Sequence, residues 1–288
     1  MHGGIADHMH GTDQRHGRID LAFARSPENR TFLRRQFASY PFHICRPHLY
    51  PGDPQGMATL YLQCVCGGIF EGDRLATRIV GERGTALHVT SQASTIVHSM
   101  ERDHAEHAVT IEAEEGSLVE YIPDTTILFP RANLKAKMRL QAHETASIIV
   151  SDAFLTHAPT GCSGNFTSLS SDTIVTDASG HILARDKFDI TGELLTRALP
   201  GLNGPWVAQG TVTVLHRHTP VDALLDRVRL ELDGLRDTYA GATLLPSGAG
   251  IFSRILCRDG HALRTAVVAV WSAAREHITG LRPTVRRK

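Results

Sequence analysis

The stretch "HAVTIEAEEGSLVEYI", residues 107–122, carries the reading of the whole chain. Its first half alternates: Val109, Ile111 and Ala113 point one way while Thr110 and Glu112 point the other, which is the period of a β-strand. "EEG" turns the chain, and "SLVEYI" starts a second strand at once. In that second strand Leu118 and Ile122 share a face with Glu120, while Val119 and Tyr121 occupy the other. Apolar residues on both faces imply a covered strand, so Glu120 is a carboxylate where water should be excluded. Such a group must be protonated, paired, hydrogen-bonded or hydrated. Two readings follow: an ion pair with one of the many arginines, or the polar lining of an internal passage.

The same period extends outward over about residues 30–216. "TASIIVSDAFL" reads as a strand, and "DTIVTDASGHILARDKFDI" as two strands joined at Asp177–Gly180. Short strands with no helix between them predict mostly antiparallel β structure. The C-terminal part changes period. Val221, Leu224, Leu225, Val228, Leu232 and Leu235 follow helical spacing, with Thr219-Pro220 before them and Gly241 expected after the end. A second helix carries Leu263, Val267, Val270, Trp271, Ala274 and Ile278, stopped by Gly280, and "TLLPSGAGIFSRILCR" between the two reads as a turn and a strand. The fold class expected is mainly β, a large antiparallel or β-helix-like layer with two C-terminal α-helices. A His-rich leader over 1–17 precedes a single domain over 18–288, whose helical part covers about 219–280.

Bulk composition excludes several classes. Thirty basic residues balance thirty acidic ones in a chain of 288, so no global field favours nucleic acid or anionic lipid. No apolar run approaches the roughly 20 residues of a membrane helix. "MHGGIADHMHGTDQRHG" lacks the apolar core of a signal peptide, which points to the cytoplasm. Five cysteines, an odd number, fit reduced thiols better than a disulfide framework. His2, His8, His10 and His16 read either as part of a polar tail or as transient ligands for a borderline divalent metal. None of the four lysines follows a glycine, so no phosphate-binding P-loop exists, and neither the zinc-hydrolase H-E-x-x-H pattern nor a G-x-S-x-G elbow occurs.

Two further stretches are chemically suggestive. In "CVCGGIFEGD", residues 64–73, Cys64 and Cys66 continue the face of Leu60 and Leu62, as buried thiols or as a metal pair. Gly67 and Gly68 permit positive φ or close strand approach, Gly72-Asp73 forms the next turn, and Glu71 should be solvated. In "HVTSQASTIVHS", Thr90, Gln92 and Ser94 share one side, and Val89, Ser91 and Ala93 the other. That is too polar for an ordinary core strand.

These segments, in this order, resemble the urease accessory protein family UreD. "GGIFEGD" is similar to the family's GG-x-x-x-GD segment, with Gly67, Gly68, Gly72 and Asp73 in place. "TSQAST", with Thr90, Gln92 and Thr95, is similar to its TTQA-x-T strand, and "VEYIPDTTILF", with Glu120, Pro123 and Phe129, to its LE-x-x-P-x-x-x-I-x-F segment. "RILCRDGHALRTAVVAVWSAAREHITG" resembles its closing strand and helix. The chain departs at "APTGCSGNF", which lacks the Arg and Glu of the corresponding segment. The resemblance implies a β-rich fold with two helices and a non-enzymatic maturation factor. Its expected partners are apo-urease, the helical accessory protein UreF and the nickel-loaded GTPase UreG, with transient nickel as cargo and no tightly bound cofactor. It also implies an internal hydrated tunnel, in which Glu120, helped by Asp73 and Gln92, lines or stabilises the nickel path. Two other readings compete. One is a β-rich hydrolase using Asp73, Glu120 and His88 for acid–base work. The other is nickel storage by the leader histidines.

Overall fold

The computed structural model describes residues 14–161, 163–200 and 203–284, so the leader through residue 13 lies outside the described residues. Strand β1 (His16–Arg25) already begins within the segment expected as leader. It pairs antiparallel with β2 (Thr31–Ala38), and the short β3 (Phe42–Ile44) follows. From there the chain winds in coils, each placing one strand in each of two facing sheets. The first coil is β4 (Ala58–Cys64) and β5 (Arg74–Gly81). The second is β6 (Ala86–Ser91), the short β7 (Thr95–Val97) and β8 (Ala105–Ala113). The third is β9 (Leu118–Tyr121), the short β10 (Thr126–Leu128) and β11 (Asn133–Ala142). The fourth is β12 (Ser147–Thr156) and β13 (Ser168–Asp177).

Stacked coils pair in parallel: β5, β8, β11 and β13 in one sheet, and β4, β6, β9 and β12 in the other. The architecture is a β-solenoid-like layer. Antiparallel pairing is confined to the flanks, where β14 (Ile182–Thr191) returns along β13 through the expected 177–180 turn. After the short α1 (Gly192–Thr196), β15 (Ala208–His216) extends the second sheet beside β12. The expected mainly β fold with a β-helix-like layer is thus observed, and within it the core pairing expected as mostly antiparallel is parallel. The alternation was legible, but the tight turns send consecutive strands to opposite sheets, so sequence neighbours face each other instead of pairing.

Helix α2 (Asp222–Asp233) buries Leu224, Leu225, Val228 and Leu232, and ends at Gly234. Gly241 lies instead in β16 (Thr238–Leu244), a strand that pairs with β17 (Gly250–Cys257). Helix α3 (Gly260–Thr279) starts on the Asp259 side chain and stops at Gly280, whose φ of 75° is the left-handed cap that glycine supplies.

Two apolar layers result. Between the sheets, Ile19, Phe23, Ile79, Ile111 and Leu140 meet Leu60, Leu87, Val119 and Ile148. On the outer face of the second sheet, Ile149, Val212, Val214 and Ile255 meet Leu224, Val228, Leu263, Val267 and Val270. The second sheet is thus buried on both faces, which is why residues 118–122 read as apolar in both directions.

Gly250 holds this second layer together at close range. Its φ is +145°, and a Cβ there would stand 1.9 Å from the Val214 carbonyl oxygen. Gly250→Ala is expected to lose more than about 1 kcal/mol of stability. An unchanged midpoint in urea unfolding would contradict this close approach.

Candidate functional site

Residue parity on β9 decides where Glu120 points. Val119 and Tyr121 enter the layer between the sheets, so Glu120, with Leu118 and Ile122, faces the helices. It is fully buried. Its Oε1 accepts from Arg275 Nε at 2.7 Å, and its Oε2 accepts from Arg275 Nη2, from His88 Nδ1 at 2.8 Å and from Trp271 Nε1 at 2.9 Å. Arg275 Nη1 donates onward to Asp53 Oδ1 at 2.8 Å. Trp271 stacks on His88 with ring centroids 4.9 Å apart, and the Arg275 guanidinium lies 4.8 Å from the Trp271 ring centroid.

Burial pushes the Glu120 carboxyl upward, but the Arg275 and His88 hydrogen bonds and the Arg275 charge outweigh it and hold the group down at about 2. Glu120 therefore stays ionised with every oxygen engaged. Of the two readings open in the sequence, the ion pair is the one observed. Asp73 is similar on a smaller scale: 1% exposed, it accepts from Arg15 through both oxygens, with Nε at 2.7 Å, and from the Phe70 amide at 2.8 Å. A cation could reach either carboxylate only by breaking these bonds. Neither is among the residues lining the cavities of about 300, 130 and 110 Å³. The acid–base trio of Asp73, Glu120 and His88 likewise offers no free carboxylate.

The accessible space lies elsewhere. A cavity of about 300 Å³ opens between the sheets, and among its walls are Gln92, Thr95, His107, Tyr121, Ser151 and Asp152. Asp152 shares the inward parity of Ile148 and Val150. Burial raises its pKa against the hydrogen bond from Ser171 Oγ at 3.0 Å, and the Asp186 charge raises it further. Burial lowers His107 to about 4, keeping its imidazole neutral near pH 7. Ser151 has the opposite parity, that of Ile149 and Ala153, so its buried hydroxyl, which has no hydrogen-bond partner in the protein, is directed to the helix-covered face. A second cavity of about 110 Å³ lies against α3 beside His88, Thr90 and Trp271. Pro123, Asp124 and Ala153 wall both spaces, so they adjoin where β9 gives way to β10.

The other residues singled out in the sequence are architectural. Thr90 Oγ1 donates to the Ile122 carbonyl at 2.6 Å, and Phe129 sits edge-on to His98. Gly67, Gly68 and Gly72 all have positive φ, as expected, and a Cβ on Gly68 would stand 2.3 Å from the Ile96 carbonyl oxygen. Glu71, expected in solvent, accepts the amides of Glu101, Arg102 and Asp103 at 2.8–3.1 Å and pins that turn. Sequence reading missed Asp53, Arg275, Asp152 and His107. Two signals were present. Arg275 follows Trp271 by one helical turn beside an apolar stripe, and Asp152 interrupts an apolar strand as Glu120 does.

Fold and site together define a β-solenoid-like scaffold with an open cavity of mixed polar and apolar lining between its sheets, locked by a buried ionic cluster. Among the described residues no helix is long and apolar enough to cross a membrane. A family model described as UreD urease accessory protein matches residues 15–288. "Urease accessory protein UreD 1" of Pseudomonas syringae pv. syringae is 37% identical over 268 residues, covering 93% of this chain and 94% of the relative. "Urease accessory protein UreD 1" of Methylorubrum extorquens is 36% identical over 272 residues, covering 93% of this chain and 90% of the relative. The chain belongs to the UreD family of urease accessory proteins.

Removing the Arg275 charge leaves Glu120 and Asp53 buried without it, so Arg275→Met should cost about 3–5 kcal/mol in chemical denaturation. A loss below about 1 kcal/mol would show that the cluster does not hold α3. For Glu120, a depressed native pKa means that its stabilisation is complete above the ordinary carboxylate value of 4.5 and fades as pH falls toward about 2. The stability gap between the natural chain and Glu120→Gln should therefore narrow below about pH 4.5 and stay flat from pH 5 to 7.

Proposed function

We propose that this protein is a non-enzymatic urease maturation factor of the cytoplasm. It binds apo-urease together with the helical accessory protein UreF and the nickel-loaded GTPase UreG, and it gives the nickel ion a sheltered path to the urease active site. The observation that carries this reading is the cavity between the sheets, with Gln92, His107 and Asp152 in its wall and a common wall with the second cavity. Carboxyl, amide, hydroxyl and neutral imidazole groups hold a borderline divalent ion loosely enough to release it. Asp152, His107 and Gln92 supply that donor set. Glu120 and Asp73 contribute as braces that hold the walls, their oxygens being engaged by Arg275 and Arg15.

Partner docking fits the helical side. Arg227, Arg229 and Arg236 are exposed there, and Leu230 and Tyr239 are 69% and 67% exposed. An apolar centre rimmed by arginine is the usual composition of a protein interface. The test is co-expression with urease and its accessory proteins. Asp152→Ala and His107→Ala should leave pull-down of the partners intact yet lower the nickel content of recovered urease several-fold. Full nickel loading in both variants would remove the cavity from the path.

A further inference from the structure

The two thiols of the Cys64–Cys66 pair converge at the end of β4. Cys64 closes the strand, and Cys66 sits in the following turn, which doubles back through Gly67 (φ +82°) and Gly68 (φ +139°). Their Sγ atoms are 3.4 Å apart. The Gly68 carbonyl oxygen lies 3.0 Å from Cys66 Sγ and 3.8 Å from Cys64 Sγ. Two sulfurs and one oxygen thus form a triangle on a turn that only glycine can adopt.

We propose that Cys64, Cys66 and the Gly68 carbonyl form a binding site for a thiophilic divalent cation of the zinc and cadmium class. The dimensions fit. Metal–sulfur bonds of about 2.3 Å at a tetrahedral angle set two thiolates about 3.8 Å apart, a few tenths of an ångström from the spacing observed. A disulfide, at about 2.05 Å, requires a larger closure of the turn. Binding is a proton exchange: two thiols lose their protons to solvent as two metal–sulfur bonds form, with no change of oxidation state. No group of three or more His, Cys, Asp or Glu able to hold a metal occurs among the described residues, so the remaining coordination falls to the carbonyl and solvent, which leaves the ion exchangeable. Both sulfurs are half-buried, open enough for an ion to enter.

Position suggests the consequence. Cys64, Gly67 and Gly68 form part of the wall of the space between the sheets, on the same rim as Gln92. An ion bridging the pair ties the turn to the strand end and so fixes the shape of that rim. The soft sulfur donors separate this site chemically from the oxygen and imidazole groups deeper in the cavity, and it stands whether or not nickel crosses that cavity.

The test titrates the reduced, metal-free full chain with Cd²⁺ and follows the near-ultraviolet thiolate-to-cadmium charge-transfer band, to which imidazole ligands do not contribute. The band should saturate at one ion per chain, with two protons released, and Zn²⁺ should compete it away. The Cys64→Ser/Cys66→Ser double variant should lose the band, and Cys45→Ser should keep it. In the natural chain Cd²⁺ should also shield Cys64 and Cys66, but not Cys45, from alkylation mapped by peptide mass, a readout that needs no variant to fold. Absence of the band, its persistence without both thiols, or undiminished alkylation of the pair would each overturn the site.

Discussion

The guanidinium of Arg275 is the constraint on which the rest of the structure depends. Apolar layers attract without direction, so α3 could slide or rotate on the second sheet at little cost from burial alone. The bonds from Arg275 to Glu120 and Asp53, and that from Trp271 to Glu120, remove this freedom, because each has a required length and angle. Burying such ions costs several kcal/mol apiece in lost hydration, and only near-complete pairing offsets it. The cluster is therefore a device of register more than of net stability. It joins a loop, a central strand and the last helix, groups 155 and 222 residues apart in sequence.

Once α3 is held, the second sheet separates two compartments. On β9, Val119 and Tyr121 look inward and Glu120 outward; on the neighbouring β12, Asp152 looks inward. The two carboxylates thus serve different faces, one saturated by protein donors and one bordering open space. A dry apolar void of about 300 Å³ would cost about 7 kcal/mol at the usual ~24 cal/mol per Å³. Hydroxyl, carboxyl and imidazole groups in the wall let water occupy it instead. A hydrated interior is thus compatible with a stable fold.

Much of this was legible residue by residue. The alternation in 107–122, the hairpin at 177–180, the Gly280 stop and the positive φ at Gly67 and Gly68 all follow from local sterics, which act within a few residues. Glu120 stood out because a charge between apolar neighbours must be compensated somewhere. What compensated it was not legible, since any of many arginines could have served. The cap that Glu71 provides was hidden for a similar reason: the three amides that it accepts arrive from a turn some thirty residues away. β16 escapes a reading of the sequence because its alternate, half-buried positions are Thr238, Ala240 and Ala242, too small or polar to mark an apolar period.

By itself, the sequence determined the strand period, the turn positions, the two terminal helices and the presence of an ionisable group in a covered strand. Tertiary structure alone decided that the coils stack in parallel, which face of β9 meets α3, and that Asp152 rather than Glu120 borders the inner space. The reason is range. Dihedral preferences and side-chain alternation are set within a few residues, whereas facing, pairing and charge compensation depend on which distant segments the winding of the chain brings together.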